Sequence, residues 1–182
     1  MKDFKKFGPF AYTAKLRNGL FRNTGACLSP QNAFYNSIGM ETLGLRMERV
    51  CDNAKTLAQF FATEYSDIEV NYPGLAGSKW HNIATEQFGD KFGGIITIRT
   101  GNKKRAFGII DALKLPLIVS NIGDTKTLVI HPESTLNVHS TQEEKETAGV
   151  FDDLIRISVG IEDIEDLIDD FKQAIESVKD VY

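Results

Sequence analysis

Arg156 is the residue of this sequence whose type and setting are best suited to ligand chemistry. It lies in the segment "LIRISVG", where Ile155, Ile157 and Val159 alternate with Arg156 and Ser158. This alternation predicts a strand with one buried face and with Arg156 on the opposite face. A guanidinium is permanently charged and offers a planar fork of N–H donors that matches a carboxylate. The pattern alone leaves two interpretations open: a solvated surface arginine or a cation that faces a cleft.

The other residues with catalytic or metal-binding potential do not form a recognisable set. The histidines His81, His131 and His139 are scattered along the chain, and we interpret them as structural or solvent-facing residues, with metal ligation as the alternative. Lys126 follows the turn "GDT", and we interpret it as a surface lysine. No nucleophile elbow, P-loop or dinucleotide-binding glycine motif occurs. The residues themselves therefore predict no metal site and no catalytic set.

Composition favours a globular protein without nucleic-acid or membrane chemistry. The chain has 182 residues, 42% of them hydrophobic, and a net charge of -4. An acidic balance does not favour nucleic-acid binding, which requires a basic face. No apolar stretch is long enough to cross a bilayer, and no signal peptide is apparent. Two cysteines, Cys27 and Cys51, lack metal spacing and do not suggest a disulfide framework, so we expect a cytoplasmic location.

The periodicity predicts a small α/β (α+β) domain after a long helical lead-in. "LSPQNAF" predicts a helix start, with Ser29 as N-cap and Pro30 in the first turn, and the helical pattern continues to about Tyr65 with a break near "GMETLG". About four strands are then interspersed with helices, which predicts one small sheet with helices on one face. A capping box formed by Thr141 and Glu144 predicts a short helix that ends before Gly149.

Several long segments, in order, resemble the C-terminal part of the Cys/Met-metabolism family of pyridoxal-phosphate-dependent enzymes. They are "LSPQNAFYNSIGMETLGLRMERVCDNA", "VNYPGL", "FGIIDALKLPLIVSNIGDTKTLVIHPEST" and "AGVFDDLIRISVGIEDIEDLIDDF". Within the family, "NIGDTKTLVIHP" is most similar to the O-acetylhomoserine sulfhydrylases, also called homocysteine synthases. Related cystathionine lyases and methionine γ-lyases typically have serine where Asn121 stands.

The resemblance implies a substrate-binding role for three residues. Arg156 occupies the position of the arginine that binds the α-carboxylate of the substrate in the family. Asn121 matches a position that supports the same carboxylate, and Ser120 matches one that tunes side-chain selectivity. For Asn121 and Ser120, ordinary packing at the end of a strand is the alternative. We expect no catalytic, cofactor-binding or metal-binding residue in this chain.

The resemblance also implies a division of the chain and a missing body. Residues 1–28 would be a remnant of the large cofactor-binding domain and residues 29–65 linker helices. Residues 66–182 would be the C-terminal substrate-binding domain of a fold-type-I enzyme, with a small, mostly antiparallel sheet covered by helices. The lysine that holds pyridoxal phosphate in relatives, its phosphate cup and the stacking aromatic have no counterpart in the sequence. We therefore expect no cofactor on the chain alone, and as partners the missing large domain or a lysine-bearing chain, or further copies, since the family forms tetramers.

Two functions follow as hypotheses. The first is the C-terminal part of an O-acetylhomoserine sulfhydrylase or of a related methionine γ-lyase or cystathionine γ-synthase type enzyme, which uses an amino-acid substrate and sulfide or a thiol in methionine biosynthesis. The second is a non-catalytic module that acts alone or depends on a partner. One loop departs from the family: "HPESTLNVH" has Glu133 where a small residue is usual and places the following histidine later, at His139. In the family this loop lies near the substrate entrance, so the resemblance does not extend to substrate selectivity there.

Overall fold

The structure is a computed structural model that describes residues 2–179, and its contacts divide the chain into two units after Thr42. The first unit is helical. It contains a 3₁₀ segment Lys2–Phe10 that is interrupted at Gly8, α1 (Ala11–Leu16), a π-helical turn Arg17–Phe21, α2 (Arg22–Thr24) and α3 (Pro30–Glu41). None of the side chains between residues 4 and 42 is buried.

The predicted start of α3 is confirmed. The Ser29 hydroxyl accepts a hydrogen bond from the backbone N–H of Asn32 at 3.2 Å, and Pro30 occupies the first turn. Serine at this position satisfies one of the helix's unpaired N–H groups. The predicted break also occurs, because α3 ends at Glu41 and the next helix begins at Leu43.

The second unit is an α/β domain built on one five-stranded sheet. The strand order is β1-β2-β5-β4-β3; β3 and β4 are parallel, and the other neighbours are antiparallel. The fold class is therefore confirmed, and the sheet has five strands where about four were expected. The elements are α4 (Leu43–Glu64), β1 (Glu69–Asn71), α5 (His81–Phe88), β2 (Ile95–Arg99), α6 (Lys103–Ala112), β3 (Leu117–Ile118), β4 (Leu128–Ile130), α7 (Gln142–Thr147), β5 (Leu154–Ser158) and α8 (Ile164–Ser177).

The core lies between one face of this sheet and the helices α4, α6 and α8. At its centre the rings of Phe61 and Phe171 meet edge to face, with centroids 5.2 Å apart. Alternate strand residues face this core and are fully buried: Ile96, Ile98, Val129, Ile155 and Ile157. The apolar stripe of α4 packs against them, which explains why the alternating pattern of β5 leaves Arg156 on the opposite face.

α4 belongs to the core as well as to the helical lead-in. Its residues Ala54, Leu57, Ala58 and Phe61 are fully buried, and the division of contacts falls after Thr42. The boundaries at 28/29 and 65/66 remain predictions. Among the described residues, no helix combines the length and the apolar character needed to cross a membrane.

Candidate carboxylate-binding site

Arg156 lies in the middle of the sheet, on the face that turns away from the core. In the register of β5 it stands opposite Thr97 on β2 and Ile130 on β4. The row continues to β1, where the Asn71 side-chain amide donates to the Thr97 hydroxyl at 3.3 Å. The central position on a paired strand gives the Arg156 backbone a rigid mount.

The guanidinium of Arg156 is half-buried and has no anionic partner among residues 2–179. Its Nη2 donates to the backbone carbonyls of Ser120 at 2.7 Å and Asn121 at 3.3 Å. Its Nε is buried and has no hydrogen-bond partner. Burial lowers the pKa of Arg156 because desolvation disfavours its charge. A partly buried cation without a counter-charge is a favourable place for a carboxylate.

The structure brings Arg156, Ser120 and Asn121 together, and the contacts involve the backbone carbonyls of Ser120 and Asn121 instead of their side chains. Ser120 and Asn121 are exposed, and both contact Arg156 through their backbone carbonyls. These carbonyls orient one side of the guanidinium and leave its remaining donors for a ligand. The roles of all three residues in substrate binding stay predictions.

Ser158 holds the loop that carries these carbonyls, and sequence reasoning did not assign it a role. Its hydroxyl accepts a hydrogen bond from the backbone N–H of Gly123 at 3.1 Å, and the residue is 2% exposed. Gly123 has φ 77, a backbone conformation that favours glycine. The period of two along β5 places Ser158 on the same face as Arg156, and this was the available signal.

The turn after β5 is fixed by hydrogen bonds from α4 and from the start of β4. The buried amide of Asn53 donates to the carbonyls of Gly160 at 3.1 Å and Glu162 at 2.9 Å. The Thr127 hydroxyl accepts from the Gly160 N–H at 2.9 Å and donates to the Glu162 carboxylate at 2.9 Å. A Cβ on Gly160 would collide with the Thr125 carbonyl, so only glycine fits there. These bonds set the position of the strand end next to Arg156.

The histidines have structural or exposed positions, as the sequence predicts. His131 is buried, with Nδ1 2.8 Å from the Ser134 hydroxyl and Nε2 2.8 Å from the Asp152 carbonyl. His81 Nδ1 lies 2.9 Å from the Pro73 carbonyl, and His139 is exposed. No group of three metal-ligating side chains occurs in the described part of the chain.

Comparison with known proteins shows the family. The model of the Cys/Met metabolism PLP-dependent enzymes matches residues 8–176. The chain belongs to this family. A homocysteine synthase of Schizosaccharomyces pombe is 39% identical over 171 residues, which are 93% of this chain and 40% of that protein. An L-methionine γ-lyase of Fusobacterium nucleatum subsp. polymorphum is 41% identical over 161 residues, covering 88% of this chain and 40% of the lyase.

Solved structures of family members share the fold. A crystal structure of an O-acetylhomoserine (thiol)-lyase from Campylobacter jejuni, which contains a pyridoxyl-lysine phosphate, matches with a TM-score of 0.85 and 38% identity. The match covers 92% of this chain and 40% of that one. An O-acetylhomoserine sulfhydrylase of Wolinella succinogenes matches with a TM-score of 0.77 and 37% identity, over 94% of this chain and 46% of its own. This family member thus spans about 40% of the length of the relatives that it matches.

The donor groups at Arg156 fit a carboxylate and not pyridoxal phosphate. Within residues 2–179 the lysine amines form their hydrogen bonds to Asp52 and Glu133, and none bonds to this site. One half-buried guanidinium flanked by carbonyls is also a small donor set for a phosphate, which carries more charge and more acceptor oxygens.

Proposed function

We propose that the chain is the C-terminal, substrate-binding part of an O-acetylhomoserine sulfhydrylase, in which Arg156 binds the α-carboxylate of the amino-acid substrate. The single observation that supports this most strongly is the Arg156 guanidinium, half-buried and held by two carbonyls without any anionic partner among residues 2–179. Desolvation of such a cation is unfavourable until an anion pairs with it.

The residues of this chain bind and orient the substrate in this proposal. Two N–H groups on one edge of the guanidinium form charge-assisted hydrogen bonds to the carboxylate and fix its plane. The carbonyls of Ser120 and Asn121 prevent rotation of the guanidinium, and Ser158 fixes their loop. The cofactor and the residues that act on the γ-carbon belong to a lysine-bearing body, either a further part of the same protein or a partner chain.

The match to a methionine γ-lyase supports a second candidate function in the same class. Both activities start from an amino acid, and the Arg156 site recognises the carboxylate that the substrates share. The choice between the two therefore depends on groups that contact the rest of the substrate.

Ligand titration tests the carboxylate assignment directly. The full chain is titrated with O-acetylhomoserine by NMR, next to the variants Arg156→Gln and Lys126→Gln; the latter removes one positive charge from an exposed residue of the adjacent region. A charge-assisted hydrogen bond contributes about 1.5–3 kcal/mol, so Arg156→Gln should weaken binding by about 10-fold to 150-fold. Equal affinities for the two variants would remove the assignment.

The visible absorption spectrum of the chain purified from its own cells tests the partner requirement. A yellow preparation would support a site completed by a lysine-bearing partner that travels with the chain. A colourless preparation that still binds the amino acid would support the alternative, a binding module without chemistry of its own.

A further inference from the structure

The segment between β4 and β5 contains a helix with no apolar anchor. Helix α7 has no buried side chain. Its N-terminus is closed by the predicted capping box, in which Thr141 and Glu144 exchange hydrogen bonds. Apart from one contact of Lys145, the side chains and caps of α7 form their hydrogen bonds with residues between 141 and 150. Such a short helix is not stable by itself, so its position depends on that contact.

That contact is a carboxylate between two ammonium groups. Glu133 Oε1 lies 2.6 Å from Nζ of Lys145 on α7, and Oε2 lies 2.8 Å from Nζ of Lys103, the first residue of α6. The Glu133 and Lys145 side chains are only 19% and 13% exposed. The two lysines lower the pKa of Glu133 to about 2, so this carboxyl is ionised near neutral pH. We call the three residues the Glu133 bridge.

The bridge lies on the segment that leaves the sheet beside the proposed carboxylate site. Ile130, the last residue of β4, is the cross-strand partner of Arg156. Strands β3 and β4 are parallel, so their C-terminal ends lie at the same end of the sheet. Ser120, whose carbonyl accepts from Arg156, follows β3, and Glu133 follows β4, so both segments leave the sheet at that end.

From this placement we propose that Glu133 is a positioning residue that fixes residues 132–147 as a wall beside the Arg156 site. The proposal rests on the proposed function. A ligand as short as acetate occupies the guanidinium alone, whereas an amino acid with a long side chain extends past it toward this wall. A fixed wall lowers the ordering entropy that such a ligand must overcome.

Removal of the carboxylate affects the bridge more than loss of an exposed ion pair would. In Glu133→Gln a neutral amide replaces the carboxylate, so the largely buried Lys145 side chain has no counter-charge there and repels Lys103. Exposed ion pairs, by contrast, contribute little. The expected response is local, because the bridge does not belong to the hydrophobic core.

Hydrogen exchange on the full chain tests the positioning role. Glu133→Gln should increase amide exchange of residues 142–150 at least tenfold and leave the core strands unchanged. Glu86→Gln, which neutralises an exposed glutamate on α5, should change neither. Unchanged exchange in residues 142–150 of Glu133→Gln would overturn the proposal.

Titration with two carboxylates separates a wall from general destabilisation. In Glu133→Gln, the Kd of acetate at Arg156 should stay within twofold, while the Kd of O-acetylhomoserine should rise about fivefold or more. An equal change for both ligands would overturn the wall. If the unaltered chain bound neither ligand, the proposed function would fail, and the exchange experiment would still decide whether Glu133 fixes α7.

Discussion

The buried amide of Asn53 is predicted to stabilise the turn that follows β5, the strand of Arg156. It is 2% exposed and donates two hydrogen bonds, to the Gly160 and Glu162 carbonyls. Each bond contributes about 1 kcal/mol net, and a buried carbonyl without a partner costs somewhat more. Alanine recovers about 0.6 kcal/mol of helix propensity in α4. Asn53→Ala should therefore destabilise the second unit by about 2 kcal/mol.

Thermal and urea unfolding measure this effect. A loss of about 2 kcal/mol corresponds to a decrease in Tm of about 4–8 °C for a domain of this size. The matched control is Gln59→Ala, which removes an exposed amide from the same helix and should change the unfolding free energy by less than about 0.5 kcal/mol. If both variants unfold at the same temperature, the turn after β5 does not depend on Asn53 and the reasoning is refuted.

Three further substitutions test the surroundings of the site. Ser158→Ala removes the acceptor of the Gly123 N–H and should raise exchange of that amide about tenfold, with little loss of global stability; an unchanged rate would contradict the tether. Gly160→Ala places a methyl group against the Thr125 carbonyl and should lower stability by about 1–3 kcal/mol in urea unfolding, whereas a neutral effect would show that the turn can shift. The low pKa of Glu133, about 2, means that its carboxylate stabilises the fold above its unfolded pKa of about 4.3 and loses this contribution as pH falls through about 2. The stability difference between the unaltered chain and Glu133→Gln should therefore narrow between pH 4.5 and pH 2 and stay constant above pH 5.

Local signals predicted most of the elements because those signals determine the structure directly. The alternation around Arg156 required one buried face, and the sheet provides it through Ile155 and Ile157. The capping residues Ser29 and Thr141 act where the sequence places them. These features depend on a few neighbouring residues, and tertiary packing reinforces them.

Contacts between distant residues were not predictable from one sequence. The Asn53 bonds span more than 100 positions, and no local pattern distinguishes a buried asparagine in a helix from an exposed one. Likewise, the sequence gives no reason to expect that Ser120 and Asn121 face Arg156 through backbone carbonyls. The sequence of "HPESTLNVH" shows that Glu133 is unusual for the family, but only the fold shows its two lysine partners.

The central claim, that Arg156 binds a carboxylate, is tested most directly at its own Nε–H group. This group is buried and has no hydrogen-bond partner, so its ¹H–¹⁵N resonance should change when an anion pairs with the guanidinium. The resonance is assigned as the one lost in Arg156→Lys and is followed during titration with O-acetylhomoserine and with the corresponding amide. We predict a saturable downfield shift with the carboxylate and none with the amide. Equal shifts with both compounds, or no shift with either, would contradict the assignment.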